Sequence, residues 1–304
     1  MKKGQVKVIL NPLSGKGHGA KVEFRIRHYL REEGIDFDLV KTEGPWHAVK
    51  LAEEASRGGY VLIVAAGGDG TVHEVVNGLM AASEGGVAGT LGIIPVGSGS
   101  DFAHAINIPH NPRKACQRLA HGRPRLVDVG LIKVDKKHTR YFDNTVNIGF
   151  GGVVTIEAQK IKHLRGTALY LPVVLKTVFL YYRAPLVDIE YDGQKLKLPA
   201  VMICICNGPR EGGGFFVAPE ARPDDGLFDL CITREVSRLS MLAHIPRFMK
   251  GTHVNSKPVK MARARVVKVT SKEPLVAHAD GEILCRDSHS LEFELLPGRL
   301  RVWS

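Results

Sequence analysis

The chain opens on a short apolar run, Val6 to Leu10, that stops at Asn11-Pro12. A run of that length closed by turn residues predicts a strand. A helix is expected around Ala20 to Glu33, and Phe37 to Lys41 reads as a second strand. Ala48, Leu51, Ala52 and Ala55 fall at i, i+3, i+4 and i+7, the spacing of one helix face. Val61 to Ala66 is continuously apolar, as a strand covered on both faces must be. Val72, Val75, Val76, Leu79 and Met80 mark another amphipathic helix, and Leu91 to Val96 a further buried strand. This βαβαβ rhythm predicts a parallel sheet with helices on both faces.

From about Arg125 the rhythm changes. Strand-like runs dominate at 126–134, 141–149, 186–191, 196–206, 227–233, 265–270 and 290–295. Asp192-Gly193 between two of them is a hairpin signal. Helical insertions are expected near 160–182 and 237–250. The expected division is an α/β domain over 1–124 and a mostly antiparallel β domain over 125–296.

Composition narrows the function classes. At 304 residues two domains are expected, taking about 150 residues for each. A chain that is 44% hydrophobic and 24% charged is not generally disordered. No apolar run reaches the length of a spanning helix: the longest, Thr167 to Tyr182, is broken by Pro172 and Lys176. The first residues are too polar for a signal peptide, so an intracellular location is expected. The net charge of +11 calls for a polyanionic partner: nucleic acid, an anionic membrane surface or phosphate-bearing ligands. Five cysteines without a C-x-x-C pair argue against a disulfide framework or zinc knuckle, and Cys204 and Cys206 read as small core residues.

The candidate chemistry is phosphate binding. Three Gly-rich segments each follow a predicted parallel strand: NPLSGKGHG at 11–19, GGDGTVHE at 67–74 and GSGSDFAH at 97–104. Glycines let main chain approach a phosphate, and N–H groups at a helix start attract anions. Open α/β sheets bind ligands beyond the carboxyl ends of their strands, so three such turns would form one crevice. Gly15-x-Gly17-x-x-Ala20 alone is a weak dinucleotide signal, and Val22 stands where a P-loop needs Ser or Thr. His73-Glu74-Val75-Val76-Asn77 lacks the second His of a zincin helix. Thr71-x-x-Glu74 reads as a capping box. Asp69 is either a turn residue or a carboxylate that holds Mg²⁺.

At these residues the chain resembles a known family. NPLSG, GGDGTVHEVVNGL, a Gly-rich loop ending in Asp-Phe-Ala, PDDGLFDL at 223–230 and HADGE at 278–282 are similar to the diacylglycerol kinase catalytic family, above all its soluble bacterial lipid kinases. The resemblance runs nearly end to end. It implies an N-terminal Rossmann-like, NAD-kinase-like parallel-sheet domain, completed by 297–304, and a C-terminal antiparallel β-sandwich-type domain. It also implies an ATP-dependent lipid kinase using Mg²⁺, cytoplasmic, peripheral at an anionic membrane when active, with a homodimer by analogy. Carried over by motif, Asn11, Thr42, Gly67, Gly68, Asp69, Gly70, Thr71, Val72, His73, Glu74 and Ser98 would surround the nucleotide. Asp69, Asp280 and Glu282 would form the catalytic set, Glu282 matching the family's proton acceptor. Asp225 with the carbonyls of Arg222 and Leu227 would hold a structural Mg²⁺. Two positions depart from the family pattern: Ser100 replaces Asn and His104 replaces Arg. Asp280-Gly281 also reads as a hairpin turn with solvated carboxylates.

Two segments bear on the lipid. Between Glu235 and Glu273 there is no carboxylate, while Arg238, Arg247 and Lys250 flank Leu239, Leu242, Ile245, Phe248 and Met249. Such a helix either lies on an anionic bilayer or covers the core with a solvated basic face. The 160–182 helix is apolar almost all round and must be buried or line an apolar groove. The rival functions are an NAD kinase-type soluble enzyme and a basic nucleic-acid binder. The second lacks interleaved aromatics, since 236–272 offers only Phe248 for stacking, and no nucleic acid is expected.

Overall fold

The structure, a computed structural model, describes residues 6–97, 99–161 and 167–304. It divides into two compact units, Met1–Val129 with Pro297–Ser304 and Gly130–Leu296.

The first unit is a parallel sheet with helical connections. Its elements are β1 (Val6–Leu10), α1 (Ser14–Glu32), β2 (Phe37–Lys41), α2 (His47–Arg57), β3 (Leu62–Gly67), α3 (Asp69–Ala82), β4 (Ala88–Pro95), α4 (Asp101–Ala105) and α5 (Pro112–His121). β1 pairs in parallel with β2 on one side and β3 on the other, and β3 pairs in parallel with β4. The order β2-β1-β3-β4 therefore reverses direction between β1 and β3. That reversal is the switch point at which doubly wound sheets take their ligands. β3 is buried at all six positions, as its apolar run requires. Val8, Leu10, Val64 and Ala66 pack with Val22, Ile26 and Leu30 of α1 in one core.

The second unit is antiparallel. It contains β5 (Pro124–Val134), which enters from the first unit, then β6 (His138–Phe142), β7 (Thr145–Gly149), α6 (Phe150–Gln159) and α7 (Thr167–Leu180). There follow β8 (Leu186–Tyr191), β9 (Gln194–Cys206), β10 (Phe228–Arg234), α8 (Arg238–Lys250), β11 (Val259–Ala264), β12 (Val266–Ala279) and β13 (Glu282–Trp303). The ladder β11-β10-β9-β7-β12-β13 is antiparallel, with β8 pairing both β9 and β12. This is the mostly β, sandwich-type domain that the sequence predicts. The end of β13 lies in the first unit, where Leu300, Arg301 and Val302 pair in parallel with β4.

Several elements differ from expectation for identifiable reasons. The expected strand 141–149 is two strands, because the N–H groups of Asp143 and Asn144 turn to the Asp280 carboxylate and leave the ladder. β12 runs past Thr270 through a register shift, so its polar stretch 271–274 hides a continuous strand. α7 is buried on one face only: Val173, Val174 and Val178 are covered, while Leu171, Leu175, Phe179 and Leu180 are exposed. Residues 162–166 of the expected 160–182 helix lie outside the described residues. α8 has no buried residue, although Ile245 leans on Val154, Val173 and Val174. Cys204, Cys206 and Cys231 share one apolar cluster. Among the described residues no helix is long and apolar enough to cross a membrane.

Candidate active site

Three turns meet at the carboxyl ends of β1, β3 and β4. The first begins at Asn11, whose N–H donates to Ala66 O of β3 at 3.0 Å. Its side chain is used at both ends: Nδ2 donates to Thr71 Oγ1 at 3.0 Å, and Oδ1 accepts from Leu13 N–H at 2.9 Å. Gly15, Lys16 and Gly17 follow with φ of 57°, 56° and 85°, so regular helix starts only beyond them. Left-handed backbone here explains two of the glycines. Ser14 Oγ lies 3.3 Å from Thr71 Oγ1 and accepts the Gly68 N–H at 3.2 Å. Asn11, Ser14, Thr71 and Gly68 thus lock the first turn to the second.

The second and third turns touch through main chain at Gly68 and Gly97. A Cβ on Gly97 would sit 2.5 Å from Gly68 Cα, which no side chain can do. Val96 and Gly97 both donate N–H to Gly67 O, at 2.8 and 3.2 Å. Asp69 completes the joint, with Oδ2 accepting the Ser100 N–H at 2.7 Å and Oδ1 the Asp101 N–H at 2.6 Å. The sequence assigns Asp69 to Mg²⁺ or to a plain turn; in the structure its carboxylate anchors the third loop. Ser100 sits at φ 53°, so its main chain serves Asp69 whatever its side chain.

The capping box is not formed. α3 starts at Asp69 with Gly68 as its cap residue, and Glu74 Oε2 instead accepts the Ala48 N–H at 3.0 Å, tying α3 to the start of α2. Thr42 is buried at the end of β2 with its N–H on Leu10 O. Val72 and His73 are buried, so their side chains pack inward from the loop. Ser98 lies outside the described residues.

In the second unit, Asp280 and Gly281 form a two-residue turn between paired Ala279 and Glu282, with φ of 50° and 84°. Two positive φ values define a type I′ hairpin, which Asp-Gly favours. The turn is real, yet Asp280 is not solvated: it is 5% exposed. Its Oδ1 accepts N–H bonds from Asn144 at 3.1 Å and Thr145 at 2.8 Å, and Oδ2 one from Asp143 at 3.1 Å. Glu282 is half-buried on the far side of the turn. Burial pushes the pKa of Arg140 down, while the charges of Glu282 and Asp280 act to hold it up. The Arg140 guanidinium donates to Ile283 O at 3.3 Å.

A polar ring supports this turn. Gly281 donates N–H to His278 Nδ1 at 3.3 Å, and His278 Nε2 lies 3.6 Å from Glu211. Glu211 also accepts from Asn147 Nδ2 at 2.7 Å and Thr145 Oγ1 at 3.5 Å. Burial lowers the pKa of His278 against the pull of Glu211 and Asp280. An Nδ1 that accepts assigns the imidazole proton to Nε2.

The first unit thus joins three Gly-rich turns and the second buries a carboxylate turn, and comparison with known proteins decides the family. Residues 5–132 match the diacylglycerol kinase catalytic domain, and 144–304 the YegS C-terminal NAD kinase beta sandwich-like domain. The diacylglycerol kinase of Bacillus subtilis is 32% identical over 286 residues, covering 91% of this chain and 89% of the relative. The "Probable lipid kinase YegS-like" protein of Chromohalobacter salexigens is 32% identical over 275 residues, 89% of this chain and 85% of its own. The chain belongs to the diacylglycerol kinase catalytic family. It is a lipid kinase. The crystal structure of a diacylglycerol kinase from Bacillus anthracis, 23% identical, superposes with a TM-score of 0.75 over 99% of this chain and 97% of that one, and shares the fold.

The kinase's PDDGLFDL loop has its own electrostatics. Asp225 accepts the Leu227 N–H at 3.2 Å and pairs with Arg263, which also lies 3.4 Å from Asp229. Burial raises the pKa of Asp229, Arg263 lowers it and the Asp225 charge raises it again. The loop's three aspartates meet Arg222, Arg263 and Arg265: Arg222 lies 3.6 Å from Asp224, Arg263 pairs with Asp225 and Asp229, and Arg265 donates to Gly226 O. Hard oxygen donors in that setting fit Mg²⁺.

Sequence reasoning missed Ser14, Glu211, His278 and Arg140. Ser14 was readable, since it stands in the NPLSG turn that carries Asn11. Glu211 and His278 are 67 positions apart, and no local pattern joins them.

Proposed function

We propose that this kinase transfers the γ-phosphoryl group of ATP to a hydroxyl of a diacylglycerol-like lipid. The observation that carries the reading is the cradle: three Gly-rich turns at the β1/β3 switch, joined by Ser14, Thr71 and the Asp69 carboxylate. Phosphoryl transfer depends on positioning and charge neutralisation more than on covalent help. Main-chain N–H groups of the turns hold the phosphates, and Asp69 keeps the third turn in register. Asn11, Thr42 and the 67–74 segment frame the nucleotide. Mg²⁺ bound with ATP would neutralise phosphate charge. The lipid oxygen bonds to the γ-phosphorus, the bond to the ADP oxygen breaks, and Glu282 takes the hydroxyl proton. Asp280 fixes the turn that presents Glu282. Asp225 with the carbonyls of Arg222 and Leu227 would hold a second, structural Mg²⁺.

The lipid approaches through the second unit. α7 exposes Leu171, Leu175, Phe179 and Leu180, and α8 exposes Leu239 and Met249 beside Arg238, Arg247 and Lys250. Apolar side chains ringed by cations suit the surface of an anionic bilayer. Radiolabelled ATP offered with a lipid panel and with NAD, using Asp69→Ala as control, tests the reading. Label in a hydroxylated lipid supports it; label only in NAD, or none, overturns it.

A further inference from the structure

Trp46 stands outside every motif that assigns the nucleotide, yet it stands among the residues those motifs name. It has φ 64°, a left-handed conformation that a bulky side chain adopts only when its surroundings impose it. Its neighbours are tied down. On one side the indole packs edge-on to the buried His73 ring, with centroids 5.9 Å apart and planes at 74°. On the other, Ala48, two residues on, is tied by its N–H to Glu74. Thr42, at the end of β2, precedes it by four residues. With 41% of its surface exposed, the ring is not a core residue that happens to lie near a loop.

We propose that Trp46 is a nucleotide-binding residue that supplies the aromatic wall for the purine base. This rests on the reading of the cradle as an ATP site. His73 follows Asp69 by four positions in α3, so the two share a helix face about 5–6 Å apart. Trp46, packed on His73, is therefore about one helical turn from the phosphate-binding loop. Phosphates held at Gly68–Asp69 leave sugar and base to extend over the adjoining surface, and Trp46 lies within that reach. An indole contacts a purine through apolar and π surface without a hydrogen-bond code, so its contribution is to affinity for a base-bearing ligand and not to phosphate binding.

Two ligands separate these roles: ATP, and inorganic tripolyphosphate, which has the phosphates without the base. Calorimetry on the full chain is expected to show Trp46→Ala binding ATP about tenfold more weakly, the low end for one base–aromatic contact, with tripolyphosphate affinity unchanged. Trp46→Phe is expected to keep most of the ATP affinity. The chain has one other tryptophan, Trp303, so the ATP-induced change in tryptophan emission should vanish in Trp46→Phe while binding persists. Unchanged ATP affinity in Trp46→Ala overturns the proposal. So does an equal loss for ATP and tripolyphosphate, which would place Trp46 as a prop for the loop. Wild-type protein that binds neither ligand overturns the ATP reading, and this inference with it.

Discussion

Replacing Asp280 by Asn separates anchoring from chemistry at the carboxylate turn. The aspartate uses both oxygens: Oδ1 serves Asn144 and Thr145, and Oδ2 serves Asp143. Asn keeps one carbonyl oxygen, enough for the first two. Its NH₂ must then face the Asp143 N–H, donor against donor. A buried N–H left unpaired costs about 1–3 kcal/mol, and making two charge-assisted bonds neutral adds about 1–2 kcal/mol. At 5% exposure solvent does not relieve this. The sum, about 2–5 kcal/mol, is a large share of a typical stability of about 5–15 kcal/mol. It corresponds to a fall in Tm of roughly 4–20 °C for a unit of this size. Glu282→Gln keeps the side chain's shape and removes a charge beside Arg140, and is expected to melt near the wild type while turnover is lost. Thermal unfolding by circular dichroism and a lipid phosphorylation assay, run on both variants, give the comparison. Asp280→Asn that melts with the wild type would refute the anchoring argument, and Glu282→Gln that turns over normally would remove Glu282 as base.

Three more outcomes follow from the same geometry. Gly97→Ala places a Cβ against the Gly68 main chain, so it should cost about 1–3 kcal/mol and abolish ATP binding by calorimetry. The folded pKa of His278 is lowered, so the unfolded chain takes the proton first as pH drops below about 6.5. Stability is thus complete above that pH and falls below it; melting curves from pH 7 to 5 should show the fall, and His278→Gln should reduce it. Phe179→Asp, on the exposed face of α7, should leave Tm nearly unchanged and abolish pelleting with anionic vesicles; undiminished pelleting would take α7 out of the membrane surface.

The first unit was legible because its signals are local. Apolar runs gave β1 to β4, and glycines at their ends marked the turns. What stayed hidden there was short or conditional. α5 opens with Asn111, whose side chain accepts N–H from Arg113 and Lys114, followed by Pro112 at the first helical position. That start signal was present, but the helix behind it is strongly polar on its outer face. The second unit was legible as β and illegible in detail, because its strands are broken by long-range acceptors. The gap between β6 and β7 depends on Asp280, 137 residues after Asp143. Only a folded chain brings that acceptor to that gap.

The same physics explains why acidic residues recur in Gly-rich turns. A turn that bares consecutive N–H groups needs an acceptor, and a short carboxylate beside a glycine reaches several at once. Asp69 does this for Ser100 and Asp101, and Asp280 for Asp143, Asn144 and Thr145. Both look catalytic from sequence because they stand where chemistry is expected. In the structure their oxygens hold main chain, and that grip gives a flexible, glycine-built loop one geometry. Glu282 has the longer side chain, lies beyond the turn and remains half-buried. Its place follows from the turn that Asp280 holds, which is what its proposed role as proton acceptor requires.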